Sequence, residues 1–157
     1  GYLLEQDLPV DIFEAVLEVR PSRPLDFQQR AQAVQRFLER SESVTLTGAN
    51  KRIRNILRKS ETPVSESVAL ELLQEDAERA LAGRLAELAS EVKPLMQAGL
   101  YDEALSRLAV LREPVDRFFD EVMVMVEDPE VRQNRLALLQ ALGALFLGVA
   151  DFSRLQG

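Results

Sequence analysis

"DPEVRQNRLALLQALGALFLGVADF", residues 128–152, is the stretch that decides the fold. Asp128, Pro129 and Glu130 supply in order a capping side chain, a ring whose fixed φ suits the first helical position, and an acid for the positive end of the helix dipole. Leu138, Leu142, Leu145, Val149 and Phe152 then recur at helical spacing. The pattern predicts a final helix over about 129–153.

The chain upstream has the same character. Pro9 to Val19 reads as a helix with Ile12, Phe13, Val16 and Val19 on its apolar stripe, ended by Pro21 and Pro24. A second helix from Pro24 to about Arg40 buries Phe27, Ala31, Val34 and Leu38. "SETPVSES", residues 60–67, is polar with a central proline and reads as an internal linker. A long helix from about Leu72 to Ala98 carries Leu73, Ala77, Leu81, Leu85, Leu88, Val92 and Leu95, with a kink near Pro94 and Gly99 as its stop. Residues 101–111 form a short helix, and Pro114 opens another carrying Val115, Phe118, Phe119 and Val122.

Within it, "FFDEVMVMVED" (118–128) reads as a buried helix end. Only Val44-Thr45-Leu46-Thr47 alternates, over too short a run for a strand. No internal repeat stands out. The fold class is therefore all-α, an antiparallel bundle of six or seven helices forming one domain over 1–157, with Phe118, Phe119, Val122, Leu138, Leu142 and Leu145 in its core.

The composition narrows the chemistry. The 157 residues contain no Cys and no His, which removes thiol catalysis, Ser-His-Asp chemistry, disulfides and nearly every zinc site. No apolar run approaches a membrane span, and no signal-peptide pattern opens the sequence. The chain starts Gly1-Tyr2 without Met and so reads as a piece of something longer. The carboxylate pairs Glu75-Asp76, Asp102-Glu103 and Asp116/Asp120 lie on polar helix sides with no Gly-rich turn nearby, as solvated or helix-start acids do. Neither a P-loop nor a dinucleotide fingerprint is present, so no catalytic or metal site is expected.

Charge is the exception to an ordinary composition. The formal net charge is -7, yet residues 20–60 hold ten Lys/Arg against three Asp/Glu. They concentrate in "ANKRIRNILRK", residues 49–59, a third helix with Ala49, Ile53, Ile56 and Leu57 on one side. Lys51, Arg54, Asn55, Arg58 and Lys59 fan across the other side, with Arg52 at its edge. Such a stripe fits contact with a polyanion, phosphates met by Lys51, Arg54, Arg58 and Lys59 and base edges by Asn50, Arg52 or Asn55. It equally fits docking onto the acidic second half of the chain or onto a partner protein. Arg132-Gln133-Asn134-Arg135 opens the last helix with two cations where the dipole favours anions, which points to a local acidic partner or an anionic ligand.

"ANKRIRNIL" (49–57), "YDEALSRLAVLREPVD" (101–116) and "PVDRFFDEVMVMVEDPEVRQNRLALLQALGALFLGVADFSRLQ" (114–156) closely resemble the C-terminal part of the β subunits of bacterial glycyl-tRNA synthetases. The resemblance implies a helical anticodon-binding domain similar to that of arginyl-tRNA synthetase, of the DALR type. At the place of the namesake motif this chain reads Asn134-Arg135-Leu136-Ala137-Leu138 instead.

It further implies a tRNA-handling module for tRNA for glycine, without a catalytic site of its own. That module would belong to an α2β2 ligase whose α subunit holds the active site, with ATP and Mg bound by the whole enzyme and none by this piece. The enzyme would be cytoplasmic, with neither membrane nor DNA among its partners. The implied tRNA-binding residues are Asn50, Lys51, Arg52 and Asn55, with Arg54 and Arg58 as phosphate contacts and Arg132 and Arg135 as a second tier. The alternative is a helical interaction module that docks another subunit of the synthetase.

Overall fold

The computed structural model describes residues 8–156; the chain's opening at Gly1-Tyr2 lies outside them. Seven α-helices are present among the described residues: α1 (Val10–Glu18), α2 (Pro24–Leu38), α3 (Ser43–Arg58), α4 (Asp76–Gln97), α5 (Tyr101–Leu108), α6 (Arg112–Glu121) and α7 (Pro129–Leu147). Short 3-10 turns cover Leu70–Leu72, Ala109–Leu111 and Phe152–Arg154, and no strand occurs among the described residues. The all-α expectation holds.

Several boundaries follow the physical signals in the sequence. Asp128 caps α7, its carboxylate accepting from the Glu130 and Val131 backbone N–H groups at 3.0 and 3.3 Å. Gly99 ends α4 at φ 77°, where a Cβ would be strained. The Leu100 N–H reaches back to the Leu95 carbonyl and the Gly99 N–H to that of Met96, the paired bonds that close a helix through a left-handed residue.

Other boundaries move. α3 starts at Ser43, so Val44-Thr45-Leu46-Thr47 is helical: Leu46 and Thr47 bury against the bundle, and packing overrides the β-branched preference. α4 starts at Asp76 rather than near Leu72, because Glu78 accepts from the Glu75 and Gln74 N–H groups and fixes the first turn there. α6 opens at Arg112, two residues ahead of Pro114, a proline being tolerated in the first turn.

α7 stops at Leu147, not near residue 153. Arg30 of α2 donates to the Gly148 and Val149 carbonyls at 3.1 and 2.9 Å, placing a cation on the free C-terminal carbonyls. The chain then turns back, and the Asp151 N–H donates to Ala15 of α1. This return brings Phe152 into a fully buried trio with Phe37 and Phe146, ring centroids 5.0–6.3 Å apart. Phe146, not Leu145, is the buried member of that turn of α7.

The apolar run after α6 corrects the expectation of a buried helix end. The helix stops at Glu121, and Val122 is extended at φ -112°, ψ 126°. Val122 and Val124 then point inward, while Met123 and Met125 are 70% and 57% exposed. Phe118 is fully buried, whereas Phe119 is only partly so, meeting Phe118 edge-to-face and carrying the Arg52 guanidinium 4.4 Å above its ring.

Around this core, α2 packs on α1 and α5, and α4 packs on α5, α6 and α7. α3 lies against α6, α7 and the C-terminal 3-10 turn. It has one wall in the bundle and one in water.

Candidate nucleic-acid interface

α3 has no acidic residue from Ser43 to Arg58, and Lys59 follows as its C-cap. Ala49 and Ile53 bury, Ile56 and Leu57 pack beside the core, and Arg52, Arg54, Asn55, Arg58 and Lys59 are exposed, with Lys51 half-buried. Elsewhere arginines find carboxylates: Arg36 on Asp102, Arg79 on Asp76, Arg117 on Glu121, Arg154 on Glu18 and Asp151. None of Lys51, Arg52, Arg54, Arg58 and Lys59 makes an ion pair among the described residues. The acidic second half of the chain therefore does not neutralise this helix.

The basic residues divide by what they touch. Arg54 donates to Ser153 Oγ at 3.3 Å, and Arg58 to Asn55 Oδ1 at 3.1 Å. Both border a groove of about 600 Å³ between α3, the second half of α7 and the C-terminal turn. Its floor is apolar, from Ile53, Leu57, Gly143 and Ala144. Gly143 costs α7 roughly 0.5–1 kcal/mol against alanine. A Cβ there would meet only Ile53 Cγ2, at an ordinary 3.7 Å.

Asn50 also lines the groove, but it is only 8% exposed. Its Nδ2 donates to the Leu46 carbonyl at 2.9 Å, which leaves Oδ1 without a donor among the described residues. Arg52 points away, onto Phe119, so the expected set does not form a single cluster.

Arg132 and Arg135 do not join α3. Arg132 donates to the Val126 and Glu127 carbonyls at 3.0 and 3.2 Å. Arg135 is 3% exposed; it donates to the Met123 carbonyl at 2.5 Å and to Glu78 Oε1 at 3.0 Å. Glu78 is fully buried, and that burial alone would push its carboxyl up. The hydrogen bonds from Arg135 and from the Glu75 and Gln74 N–H groups outweigh it and hold Glu78 below the ordinary glutamate value. Glu78 is thus the acidic partner of Arg135, which is buried with it, whereas Arg132 meets backbone carbonyls and no carboxylate among the described residues.

The residues between complete a hub. Gln133 donates to Thr62 at 2.6 Å, and Asn134 makes two bonds with the Ala69 backbone at 2.7 and 3.0 Å. One turn of α7 thus holds both the 60–69 connector and the 122–127 segment.

The acidic pairs read as solvated or helix-start groups take those roles. Glu75 precedes α4, Asp102 pairs with Arg36, and Asp116 lies 3.9 Å from Arg112. No group of His, Cys, Asp and Glu suited to a metal ion is present among the described residues, nor any helix long and apolar enough to cross a membrane. The sequence reading missed the far wall of the groove, Gly143, Asp151, Ser153 and Arg154, because nothing local to those residues marks them as facing α3.

A helical domain with an unneutralised cationic helix beside an open groove is the class that fold and site define. The chain belongs to the DALR anticodon binding domain family, whose model matches residues 46–150, from within α3 to beyond the end of α7. The chain is 51% identical over 152 residues to the glycine–tRNA ligase beta subunit of Aliivibrio fischeri (strain MJ11), and 52% and 51% to those of Aeromonas salmonicida (strain A449) and Sodalis glossinidius (strain morsitans). Each match covers 97% of this chain and 22% of the relative, so the chain spans about a fifth of the length of these curated relatives.

Proposed function

We propose that this chain is the tRNA-handling module of a glycine–tRNA ligase β subunit and contacts the anticodon region of tRNA for glycine through α3. The observation that carries the reading is that five adjacent cations on α3 have no carboxylate partner among the described residues. Like charges at helical neighbour spacing repel, and an anion from outside relieves that repulsion. A single-stranded loop offers closely spaced phosphates together with splayed bases, which are read by stacking and hydrogen bonding. Family membership and the names of the relatives support the same ligand.

In this reading Lys51, Arg54 and Arg58 meet phosphates, and Arg52 with Asn50 and Asn55 serves the bases. Phe119 would hold the Arg52 guanidinium as a flat stacking surface. Arg132 supports the 126–127 backbone rather than the RNA. The whole ligase would be an α2β2 enzyme of the cytoplasm, with glycine activation, ATP and Mg on residues outside this chain.

The test is a titration of the chain with tRNA for glycine across ionic strength. Each phosphate contact contributes about 0.7 to the magnitude of the single-strand salt slope. Arg54→Glu with Arg58→Glu should keep the helical content, weaken binding and flatten the slope. Unchanged affinity and slope would transfer α3 to the alternative role, docking another subunit. The exposed Met123 and Met125 are the feature that favours that alternative.

A further inference from the structure

We infer that the groove between α3 and α7 is a pocket for one unstacked nucleobase, with Arg54 and Arg58 at its rim holding the phosphates that flank it. This rests on the reading of α3 as an RNA-binding helix, and adds to it a place, a floor and a polar reader.

The groove volume, about 600 Å³, falls within the roughly 300–1,000 Å³ of pockets that enclose small molecules. Its lining at Gly143 and Ala144 is small and apolar, which suits contact with the face of an aromatic base. Gly143 is the less stable choice for the middle of a helix, and an alanine Cβ would fit there without collision. Bundle packing therefore does not demand this glycine, whereas an open floor does.

The polar groups have matching roles. Asn50 lines the groove and is held by its Nδ2 bond to the Leu46 carbonyl, which leaves its Oδ1 as the acceptor we assign to a base N–H. Arg154 pairs with Glu18 and Asp151 at 3.2 and 3.4 Å and offsets one of their two negative charges, which weakens the repulsion from that wall. Arg54 and Arg58 remain as the rim cations without a carboxylate. A phosphate at the rim and a base on the floor satisfy both sets, whereas an acidic peptide would leave the apolar floor and the Asn50 acceptor unused.

The experiment measures binding of an anticodon stem-loop RNA to the parent chain, with each loop base in turn removed to leave an abasic site. It repeats the scan with Gly143→Leu and with Ala144→Leu, the latter at an exposed position that does not threaten folding. In the parent, one loop position should lose about tenfold in affinity when its base is removed, within the range of stacking one base. Filling the floor should cost a similar factor, abolish the further penalty at that position and leave the salt slope intact.

Parent-like binding by both filled variants, or an abasic penalty that persists in them, would overturn the pocket. A flat abasic scan with a normal salt slope would also remove the pocket while α3 stayed an RNA-binding helix. Absence of any salt-dependent binding by the parent would instead defeat the reading of α3 itself.

Discussion

Arg135 and Glu78, 57 positions apart in the chain, meet at 3.0 Å with side chains 4% and 0% exposed. Removing one partner of such a pair strands the other, at a cost of about 3–5 kcal/mol. Arg135→Met and Glu78→Gln should each lower stability on that scale in urea denaturation, and the double substitution should lose less than the sum. Because Glu78 is held below its ordinary value when folded, its contribution is present at neutral pH and lost as pH falls through that depressed value. The stability gap between parent and Glu78→Gln should therefore narrow on acidification; a constant gap would contradict the assignment.

Tyr101 should titrate late. Burial first, and then the bond its hydroxyl donates to Asp26, push it up to about 12, partly offset by the charge of Arg30. A folded value above the unfolded one means this contribution is complete below about pH 10 and lost as pH rises through about 12. Tyrosinate absorbance should show a step near 12 in the parent that Tyr101→Phe removes; loss of a step near 10, and not of one near 12, in Tyr101→Phe would refute it.

The two adjacent phenylalanines should differ. Phe118→Ala empties a fully buried site and should cost about 3–5 kcal/mol. Phe119→Ala, at the rim, should cost about 1–2 kcal/mol. A double-mutant cycle of Phe119→Ala with Arg52→Ala should show a coupling of about 0.5–1 kcal/mol, the value of an exposed cation–π contact. Equal losses for the two truncations would place Phe119 in the core after all.

Asn134→Ala should loosen the connector without unfolding the bundle. It removes both bonds to Ala69, so limited proteolysis within 60–68 should accelerate while global stability falls by only about 1–3 kcal/mol. If cleavage stays at the parental rate, another contact is what holds the connector.

The legible parts of this fold are those whose causes are local. The cap at Asp128, the stop at Gly99 and the amphipathic pattern of α3 each need only a few neighbouring residues, and all three stand in the structure. The run after Phe118 was misread because Met is apolar wherever it points. Val122-Met123-Val124-Met125 has a two-residue period in burial and none in hydrophobicity. Arg135 is hard to place from sequence for a related reason: its partner is on α4, and a cation near a helix start looks the same whether that partner is RNA or a buried glutamate. The groove was half legible, its α3 wall from charge spacing and its α7 wall not at all.

The bare charge of α3 also has a kinetic meaning. Residues 43–59 carry +5 in a chain of -7, which leaves -12 on everything else. The domain is therefore strongly dipolar, and its field would turn it as it approaches a polyanion, attracting one face and repelling the rest. On the proposed function, misoriented collisions with RNA would be discouraged before any contact forms. The acidic remainder of the surface selects the angle of approach as much as the basic helix supplies the grip.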